Sequence, residues 1–299
     1  MKLGMIGLGK MGEQMVIRLI KAGHEVVVTD LDKDAIERSV SNGAVAAKDR
    51  ADLVSKLGEK AVVWVMIPAQ FVTDEIAALV ELLPKDSIII DGGNSDYRQT
   101  VLHTKTTSTR GIELVDVGTS GGVLGLEKGF SMMAGGSNDA IATVTPVLDA
   151  LAQPSGWAHF GSTGSGHFIK MVHNGIEYGI MEAYAEGYHV IEEMKDFGPL
   201  DLAKIADVWQ HGSIIASSLN EIAGSVLREN PTLEGIDGYV AESGEARWTI
   251  ETAKTHEIEV PVIKASLAVR KASARGETNF ATKLLAAMRH GFGGHKVNK

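Results

Sequence analysis

The chain has 299 residues, 44% of them hydrophobic and 22% charged, which is typical of a folded globular protein with room for two domains. A formal net charge of -9 argues against nucleic acid or an anionic membrane as the main partner. No cysteine is present, so neither a disulfide framework nor a cysteine metal site can form, in keeping with a reducing compartment. We expect a cytoplasmic protein without an export signal or a membrane-spanning segment, because glycines interrupt the N-terminus and no apolar run is long enough.

Five short apolar runs in the first half predict strands. They are KLGMI (2–6), EVVVT (25–29), AVVWVMI (61–67), SIIID (87–91) and IELVDV (112–117). Helical patterns separate these runs, and apolar strands that alternate with helices indicate a parallel sheet covered on both faces. We therefore predict an α/β fold whose N-terminal domain, residues 1–162, is a Rossmann-like doubly wound parallel sheet.

The second half is predicted to be an all-α domain over residues 163–299. Strand signals fade after Gly164, and helical spacing is interrupted near residues 198–199, 230–231 and 260–261, each time at a proline. The segment from about His167 to Lys195 predicts one long helix. Its length, on the order of 40 Å, indicates that part of it packs against the first domain or another subunit.

A glycine-rich turn follows the first predicted strand. Gly7, Leu8, Gly9, Lys10, Met11 and Gly12 form the pattern G-x-G-x-x-G, and a predicted helix begins at its end. Backbone NH groups at such a turn face the pyrophosphate of a dinucleotide. A glycine turn that serves only chain geometry is the alternative, but the strand before it and the helix after it favour the dinucleotide site.

Asp30 ends the second predicted strand, 18 residues beyond Gly12. An acidic side chain there accepts hydrogen bonds from the adenosine ribose and repels a 2'-phosphate by about 1 to 4 kcal/mol, depending on the effective dielectric constant. The sequence therefore predicts NAD in preference to NADP, with Lys33 as a residue that softens the preference.

Two glycine-containing loops are predicted to follow strand ends, where α/β sheets bind ligands. DGGNSD (91–96) contributes Asn94, and GTSGG (118–122) contributes Ser120, Gly121 and Gly122. Paired glycines let a ligand approach the backbone, while the polar side chains supply donors and acceptors. Tight turns without a ligand are an equal alternative for either segment alone.

The long predicted helix carries an unusual polar stripe. Lys170, His173, Asn174 and Glu177 are spaced i, i+3, i+4, i+7 on one face, and Tyr178 lies at its edge. These groups transfer or direct protons, which indicates catalysis, whereas a solvated face with a helical Lys/Glu pair is the alternative. From the pattern alone both readings stay open.

The C-terminal segment RHGFGGH (289–295) contains a further pair of cations. Arg289 and His295 flank a glycine-rich stretch after a predicted helix. Such a tail is either frayed or a flexible segment that closes over an anion, with Arg289 as a bidentate partner. The pattern does not decide between these two readings.

Five segments together resemble the 6-phosphogluconate dehydrogenase family, the decarboxylating enzymes of the pentose phosphate pathway and gluconate metabolism. They are GLGKMG (7–12), DGGNS (91–95), GTSGGVLGLEKGFSMMAGG (118–136), GSGHFIKMVHNGIEYG (164–179) and RHGFGGH (289–295). In length the chain is similar to the short form of that family. The wider β-hydroxyacid dehydrogenase superfamily shares the glycine turn and a lysine with an asparagine four residues later, but KMVHNGIEY resembles this family in particular.

The resemblance implies oxidation and decarboxylation of 6-phosphogluconate to ribulose 5-phosphate with NAD and without a metal. It implies that Lys170, neutral at first because burial or a nearby positive charge lowers its pKa, is the general base and then the acid, and that Glu177 protonates the enediol. It further implies a homo-oligomer, at least a dimer, in which Arg289 and His295 come from the neighbouring subunit. The implied substrate-binding residues are Asn94, Ser120, Gly121, Gly122, His173, Asn174, Tyr178, Arg270, Arg289 and His295. The candidate cofactor-binding residues are Gly7, Leu8, Gly9, Lys10, Met11, Gly12, Asp30, Met66 and Asn94.

The chain also departs from the family pattern. Ser243 aligns with a lysine that binds phosphate in the long form, and TDLDK (29–33) replaces a segment with an arginine suited to a 2'-phosphate. Two alternatives follow: an NAD-dependent dehydrogenase of an unphosphorylated 3-hydroxy acid, similar to hydroxyisobutyrate or glycerate, and a catalytically idle nucleotide-sensing protein. The first has no use for Arg270 and Arg289, and the second has none for Lys170 and Glu177.

Overall fold

The computed structural model of the chain describes residues 1–293. The chain forms two compact units, Met1–Met171 and Val172–Lys299, the second of which is described to residue 293. Helix α8, Ser165–Glu193, begins in the first unit and continues through most of its length in the second.

The first unit contains a sheet and its covering helices. Its strands are β1 (Lys2–Ile6), β2 (Glu25–Thr29), β3 (Val45–Ala46), β4 (Val62–Val65), β5 (Ile88–Asp91), β6 (Glu113–Ser120), β7 (Phe130–Gly135) and β8 (Ala152–Gly161). Its helices before α8 are α1 (Lys10–Lys21), α2 (Lys33–Ser41), α3 (Arg50–Leu57), α4 (Ala69–Leu82), α5 (Tyr97–Ser108), α6 (Gly125–Lys128) and α7 (Asn138–Leu151), with a 3-10 turn at Gly122–Leu124.

The strand order confirms the predicted Rossmann-like sheet. The strands lie in the order β3-β2-β1-β4-β5-β6-β7-β8, and neighbouring strands from β3 to β6 run parallel. The carboxyl ends of β1, β2, β4, β5 and β6 therefore meet at one edge, as a doubly wound sheet requires. The five predicted strands are all present within the described residues.

One strand pair departs from the parallel arrangement, because β7 runs antiparallel to β6. The last strand, β8, then pairs with β7 in parallel with two register irregularities. We did not predict β3, β7 or β8. Strand β3 has only two residues, and β8 lies at the sheet edge with the sequence AQPSGWAHFG, which lacks a continuous apolar run.

Alternate residues of the central strands pack on opposite faces of the sheet. Val26 and Val28 belong to one hydrophobic cluster, while Val27 between them belongs to the other. Strand β4 repeats the arrangement, with Trp64 on one side and Val63 and Val65 on the other. Each fully buried side chain of this kind contributes about 1.5 to 3 kcal/mol, so two-sided burial fixes the register of these strands.

The second unit is helical within the described residues, as predicted. After α8 follow α9 (Leu202–Gln210), α10 (Ser218–Glu229), α11 (Glu245–Thr255), α12 (Pro261–Ser273) and α13 (Phe280–Gly293). Asn230 ends α10 and Pro261 begins α12, so two of the predicted proline breaks coincide with helix boundaries. The core of the unit gathers around Tyr188 and Leu284, which are fully buried.

The long helix α8 confirms the prediction for residues 167–195 to within two residues at each end. Its 29 residues mix apolar and charged side chains. Among the helices of residues 1–293, none is both long and apolar enough to cross a membrane.

Candidate active site

The glycine turn between β1 and α1 combines two tight contacts with one open position. A Cβ on Gly7 would lie 2.3 Å from the carbonyl oxygen of Met66, and one on Gly12 would lie 2.1 Å from the carbonyl oxygen of Gly7. A Cβ on Gly9 would meet nothing within 4 Å, and no side chain caps the start of α1. The protein's own packing therefore requires Gly7 and Gly12, whereas Gly9 leaves room for a pyrophosphate against the helix N-terminus.

Asp30 lies at the end of β2 and holds the glycine turn directly. One carboxylate oxygen accepts a hydrogen bond from the backbone NH of Leu8, and the other accepts one from Asp32 NH at 2.7 Å. Each oxygen keeps a second lone pair for a ribose hydroxyl. The sequence pattern indicated the ribose contact but not the bond that joins β2 to the turn.

Met66 and Lys33 also lie in this part of the first unit. The Met66 sulfur would be 3.0 Å from a Cβ on Gly92, and its Cγ would be 3.7 Å from one on Gly12, so Met66 separates the two glycine segments. Lys33 is exposed as the first residue of α2. Both residues are thus near the carboxyl edge of the sheet, where the candidate cofactor site was predicted.

Asn94 fastens the segment after β5 to strand β6. Its Oδ1 accepts a hydrogen bond from Thr119 NH at 2.9 Å, and its Nδ2 donates to Thr119 O at 3.2 Å. Asn94 has a φ of 52°. This left-handed conformation is tolerated by asparagine better than by most residues, and here two bonds to a neighbouring strand stabilise it.

The interpretation of residues 118–122 as one loop is wrong for its first three residues. Gly118, Thr119 and Ser120 extend β6, because they pair with Met133, Met132 and Ser131 of the antiparallel β7. Only Gly121 and Gly122, with φ of 128° and 50°, leave the strand. Ser120 is therefore held by strand pairing, which fixes its side chain more firmly than a loop would.

Lys170 lies on the second turn of α8 and is 4% exposed. A Cβ on Gly118 would lie only 2.2 Å from the Cβ of Lys170, so a glycine on β6 makes the room that this lysine occupies. If the polar stripe of α8 were a solvated face, Lys170 would be exposed. The burial of Lys170 therefore contradicts that alternative at this residue.

In the second unit, the polar stripe of α8 continues through three linked side chains. His173 Nδ1 lies 2.9 Å from Asn174 Oδ1 and 3.8 Å from Glu177 Oε2. Asn174 Nδ2 donates to Glu245 Oε1 at 3.0 Å. Because an amide oxygen only accepts, His173 carries a proton on Nδ1 in this arrangement.

Two arginines, Arg270 and Arg289, are buried near Tyr178 of the same chain, whereas the resemblance implied that Arg289 comes from the neighbouring subunit. The guanidinium of Arg270, 2% exposed, stacks on the Tyr178 ring and donates from Nη1 to Ala241 O at 3.3 Å. Burial lowers the pKa of Arg270 to about 10, so this guanidinium remains charged at neutral pH, and burial also lowers the pKa of Arg289. Buried cations that repel each other are costly unless an anion binds to them.

Tyr178 also contacts the segment that precedes α11. Its hydroxyl accepts a hydrogen bond from Ser243 NH at 3.2 Å and lies 3.4 Å from Ser243 Oγ. Ser243 thus lies beside a candidate phosphate-binding side chain even though it cannot supply the positive charge of a lysine. His295 lies outside the described residues.

Sequence reasoning missed several residues that the structure brings to these sites. Asp116 and His167 are buried beside the start of α8, and Glu245 bonds to Asn174. An acidic residue inside an apolar strand, at Asp116, was the one signal that the sequence offered. Within residues 1–293 no group of three or more His, Asp and Glu side chains is arranged so that it could hold a metal ion.

A Rossmann-like sheet with an open glycine turn, followed by a long helix that carries a buried lysine and leads into a helical domain, is typical of the class of dinucleotide-binding dehydrogenases. Residues 2–164 match the NAD binding domain of 6-phosphogluconate dehydrogenase, and residues 166–291 match the C-terminal domain of 6-phosphogluconate dehydrogenase. The chain belongs to the 6-phosphogluconate dehydrogenase family.

Three known proteins illustrate the similarity. The chain is 42% identical to the NAD(+)-dependent, decarboxylating 6-phosphogluconate dehydrogenase of Haloferax volcanii, over 99% of this chain and 98% of that protein. The Plasmodium falciparum 6-phosphogluconate dehydrogenase is 26% identical, with a TM-score of 0.80 over 96% of this chain and 70% of that one. The 3-hydroxyisobutyrate dehydrogenase of Salmonella typhimurium has a TM-score of 0.77 at 18% identity, over 95% of this chain and 98% of that one, and shares the fold.

Proposed function

We propose that this protein oxidises and decarboxylates 6-phosphogluconate to ribulose 5-phosphate and CO2 with NAD as the hydride acceptor. The observation that carries the proposal is the buried Lys170 on α8, with Glu177 seven residues later on the same helical stripe. Seven residues span two turns, about 10 Å along the helix axis, which separates a proton acceptor from a proton donor along an extended sugar acid. The name of the Haloferax volcanii relative supports the same reaction.

The proposed mechanism assigns one proton to each of these side chains. Lys170, neutral at this stage, accepts the proton of the 3-hydroxyl group. NAD, when bound, supplies the acceptor for the hydride from C3. The oxidised product is a β-keto acid, and the protonated Lys170 donates to its carbonyl oxygen as the carboxyl group leaves as CO2. Glu177 then protonates the resulting enediol at carbon while Lys170 takes back the hydroxyl proton, which leaves the ketone.

We assign NAD rather than NADP on the position of Asp30. Its carboxylate is fixed by the backbone NH groups of Leu8 and Asp32, so it cannot turn away from a 2'-phosphate without losing both bonds. Two negative groups about 4 Å apart repel by roughly 1 to 4 kcal/mol. Gly9 and the N-terminus of α1 would hold the pyrophosphate, as the open space at Gly9 allows.

We assign the substrate's phosphate to Arg270 and Arg289. Both are buried and charged, and Tyr178 lies against the first of them. A sugar phosphate carries a phosphate in addition to its carboxylate, and this second anionic group offsets the burial of two cations, whereas an unphosphorylated 3-hydroxy acid has only its carboxylate. The fold shared with a 3-hydroxyisobutyrate dehydrogenase is compatible with either substrate, so the two arginines are the distinguishing feature.

The test is turnover by the purified protein with 6-phosphogluconate and either NAD or NADP. We expect NADH and CO2 in equal amounts, measured by nicotinamide absorbance and by trapping the gas. Lys170→Met should abolish both products while NAD binding, measured calorimetrically, stays within a few-fold of wild type. Lys254→Met, at an exposed position on α11, is the matched control.

Two outcomes would contradict the proposal. NADH formed from 3-hydroxyisobutyrate or glycerate, with no reaction of 6-phosphogluconate, would identify the unphosphorylated substrate class. Binding of NAD without oxidation of any hydroxy acid would identify a nucleotide-sensing protein. We further propose a homo-oligomer of at least two subunits that share active sites, which sedimentation of the active protein tests.

A further inference from the structure

The start of helix α8 is capped by a side chain from another element. The buried Asp116 of β6 accepts hydrogen bonds from Gly164 NH through Oδ1 at 2.6 Å and from His167 NH through Oδ2 at 2.7 Å. A helix leaves its first NH groups without partners in the helix, and the residue just before it usually provides the cap. Here glycine occupies that place, so a carboxylate 48 residues away in sequence provides the cap instead.

The same face of β6 determines where Lys170 lies. Successive residues of a strand face opposite sides of the sheet, so Asp116, Gly118 and Ser120 lie on the same face of β6. Asp116 bonds to the first turn of α8, and Gly118 leaves the room that the Cβ of Lys170 fills. A Cβ on Gly166 would lie 2.3 Å from Met133 O, which shows how closely the helix start approaches the sheet.

A second buried contact ties this turn to the segment that carries Asn94. His167 Nδ1 is hydrogen-bonded to Thr100 Oγ1 at 2.8 Å and lies 4.0 Å from Asp91 Oδ2. Asp91 in turn accepts from Gly93 NH at 3.0 Å and from Ser95 Oγ at 2.9 Å. The first turn of α8 and the segment after β5 are therefore held by one buried network.

We propose that Asp116 is a positioning residue that sets the place of Lys170 in the reaction. The proposal rests on the function proposed above, because it takes Lys170 as the proton acceptor. His167, whose NH bonds to Asp116, precedes Lys170 by three residues, slightly less than one helical turn, so a shift of the capped turn is transmitted to the lysine. A misplacement of about 1 Å in a reacting group can reduce turnover by about a hundredfold.

The chemistry of the cap favours the carboxylate over its amide. Both oxygens of Asp116 accept, and an asparagine has one oxygen and one NH2 group. Asp116→Asn therefore keeps one cap bond and places a donor against the other NH. Asp116→Ser keeps a single acceptor without this clash and serves as the second variant should Asp116→Asn not fold.

The control is a helix cap of the same residue type elsewhere in the first unit. Asp49 caps α3 by accepting from Asp52 NH at 2.9 Å, and it is exposed. Asp49→Ala removes this acceptor and should lower the melting temperature without affecting Lys170. A general loss of stability is thereby separated from a displaced lysine.

Three measurements are made on the full-length protein well below its melting temperature. They are amide hydrogen exchange of residues 164–168, the rate at which an amine-reactive reagent labels Lys170, and kcat and KM for 6-phosphogluconate. We expect Asp116→Asn to speed exchange at least tenfold, to change the labelling rate at least threefold, and to lower kcat by about 10 to 100-fold with KM changed less than threefold.

Wild-type labelling and kcat in Asp116→Asn, or in Asp116→Ser, would overturn the proposal, as would equal effects in Asp49→Ala. Exchange and labelling need no substrate, so they separate this proposal from the proposed function. If the wild-type protein does not turn over 6-phosphogluconate but Asp116→Asn still changes the labelling of Lys170, the positional link holds and the proposed reaction is wrong.

Discussion

The guanidinium carbon of Arg270 lies 3.2 Å from the centre of the Tyr178 ring. A planar cation stacked on an aromatic face is held in orientation as well as in place, which suits bidentate recognition of a phosphate. The stacking also lets Arg270 remain buried as a charged group. A lysine cannot reproduce this arrangement, because its ammonium is neither planar nor bidentate.

We therefore expect Arg270→Lys to raise KM for 6-phosphogluconate at least tenfold while kcat falls less than threefold. Arg275→Lys is the matched control, since Arg275 forms an exposed ion pair with Glu277 in the same unit. Steady-state kinetics with both variants check the expectation. An unchanged KM in Arg270→Lys would remove Arg270 from phosphate binding.

Glu245 places a buried carboxylate beside one of the proposed phosphate ligands. It accepts from Asn174 and raises the pKa of Arg289 against the larger effect of burial. Glu245→Gln keeps an acceptor for Asn174 and removes the negative charge, so we expect KM for 6-phosphogluconate to fall about three- to tenfold. Glu245→Ala should instead raise KM, because the Asn174 amide loses its acceptor. An unchanged KM in Glu245→Gln would show that the charge of Glu245 is irrelevant to phosphate binding.

Asp30→Asn tests the choice of nucleotide. Removing the charge should shift the ratio of kcat/KM for NAD and NADP towards NADP at least tenfold, about 1.4 kcal/mol. Asp34→Asn, on the exposed first turn of α2, should leave the ratio unchanged. A constant ratio in Asp30→Asn would mean that another residue selects the nucleotide.

Gly9 and Gly12 of the glycine turn should respond differently to the same substitution. Gly9→Ala is expected to weaken NAD binding at least tenfold without changing the melting temperature, because its Cβ meets only open space and its φ of -62° suits alanine. Gly12→Ala should lower the melting temperature, because its Cβ would lie 2.1 Å from Gly7 O. Calorimetric measurement of NAD binding and thermal unfolding distinguish the two variants. A loss of stability in Gly9→Ala would contradict the assignment of Gly9 to the pyrophosphate site.

The stability of the second unit should depend on pH through Glu182. Burial raises the pKa of this carboxyl group to about 7, with repulsion from Glu186 adding to the effect and Arg270 opposing it. A carboxyl group with a raised folded-state pKa is most favourable to the folded state below its unfolded value of 4.5. That contribution, at most about 3 kcal/mol, is lost as the pH rises from 4.5 to about 7.

Glu182→Gln should therefore flatten the pH dependence of unfolding between pH 4.5 and about pH 7, the interval in which the folded and unfolded states differ in the protonation of Glu182. Chemical denaturation at several pH values measures it. Glu229→Gln, at the exposed end of α10, should keep the wild-type dependence. An identical pH dependence in wild type and Glu182→Gln would show that Glu182 is not the responsible group.

Local pattern was enough to predict the central sheet and the long helix. The strands around Val27 and Ile89 are apolar on both faces, and such strands appear in the sequence as short runs of consecutive apolar residues. The glycine turn was predictable for the same reason, because the turn, the strand before it and the helix after it lie within about twenty residues. The stripe from Lys170 to Glu177 follows from helical spacing alone.

Contacts between distant segments were decided only by the tertiary structure. Strands β7 and β8 lack a strong apolar pattern and exist because β6 extends to Ser120 and pairs with β7. The cap from Asp116 to His167 joins residues 51 apart, and the bond from Asn174 to Glu245 joins residues 71 apart. Sequence spacing holds no information about such pairs, since the fold brings them together. Residue types and local geometry thus determined the candidate chemistry, and packing decided that Lys170 is buried and what holds it in place.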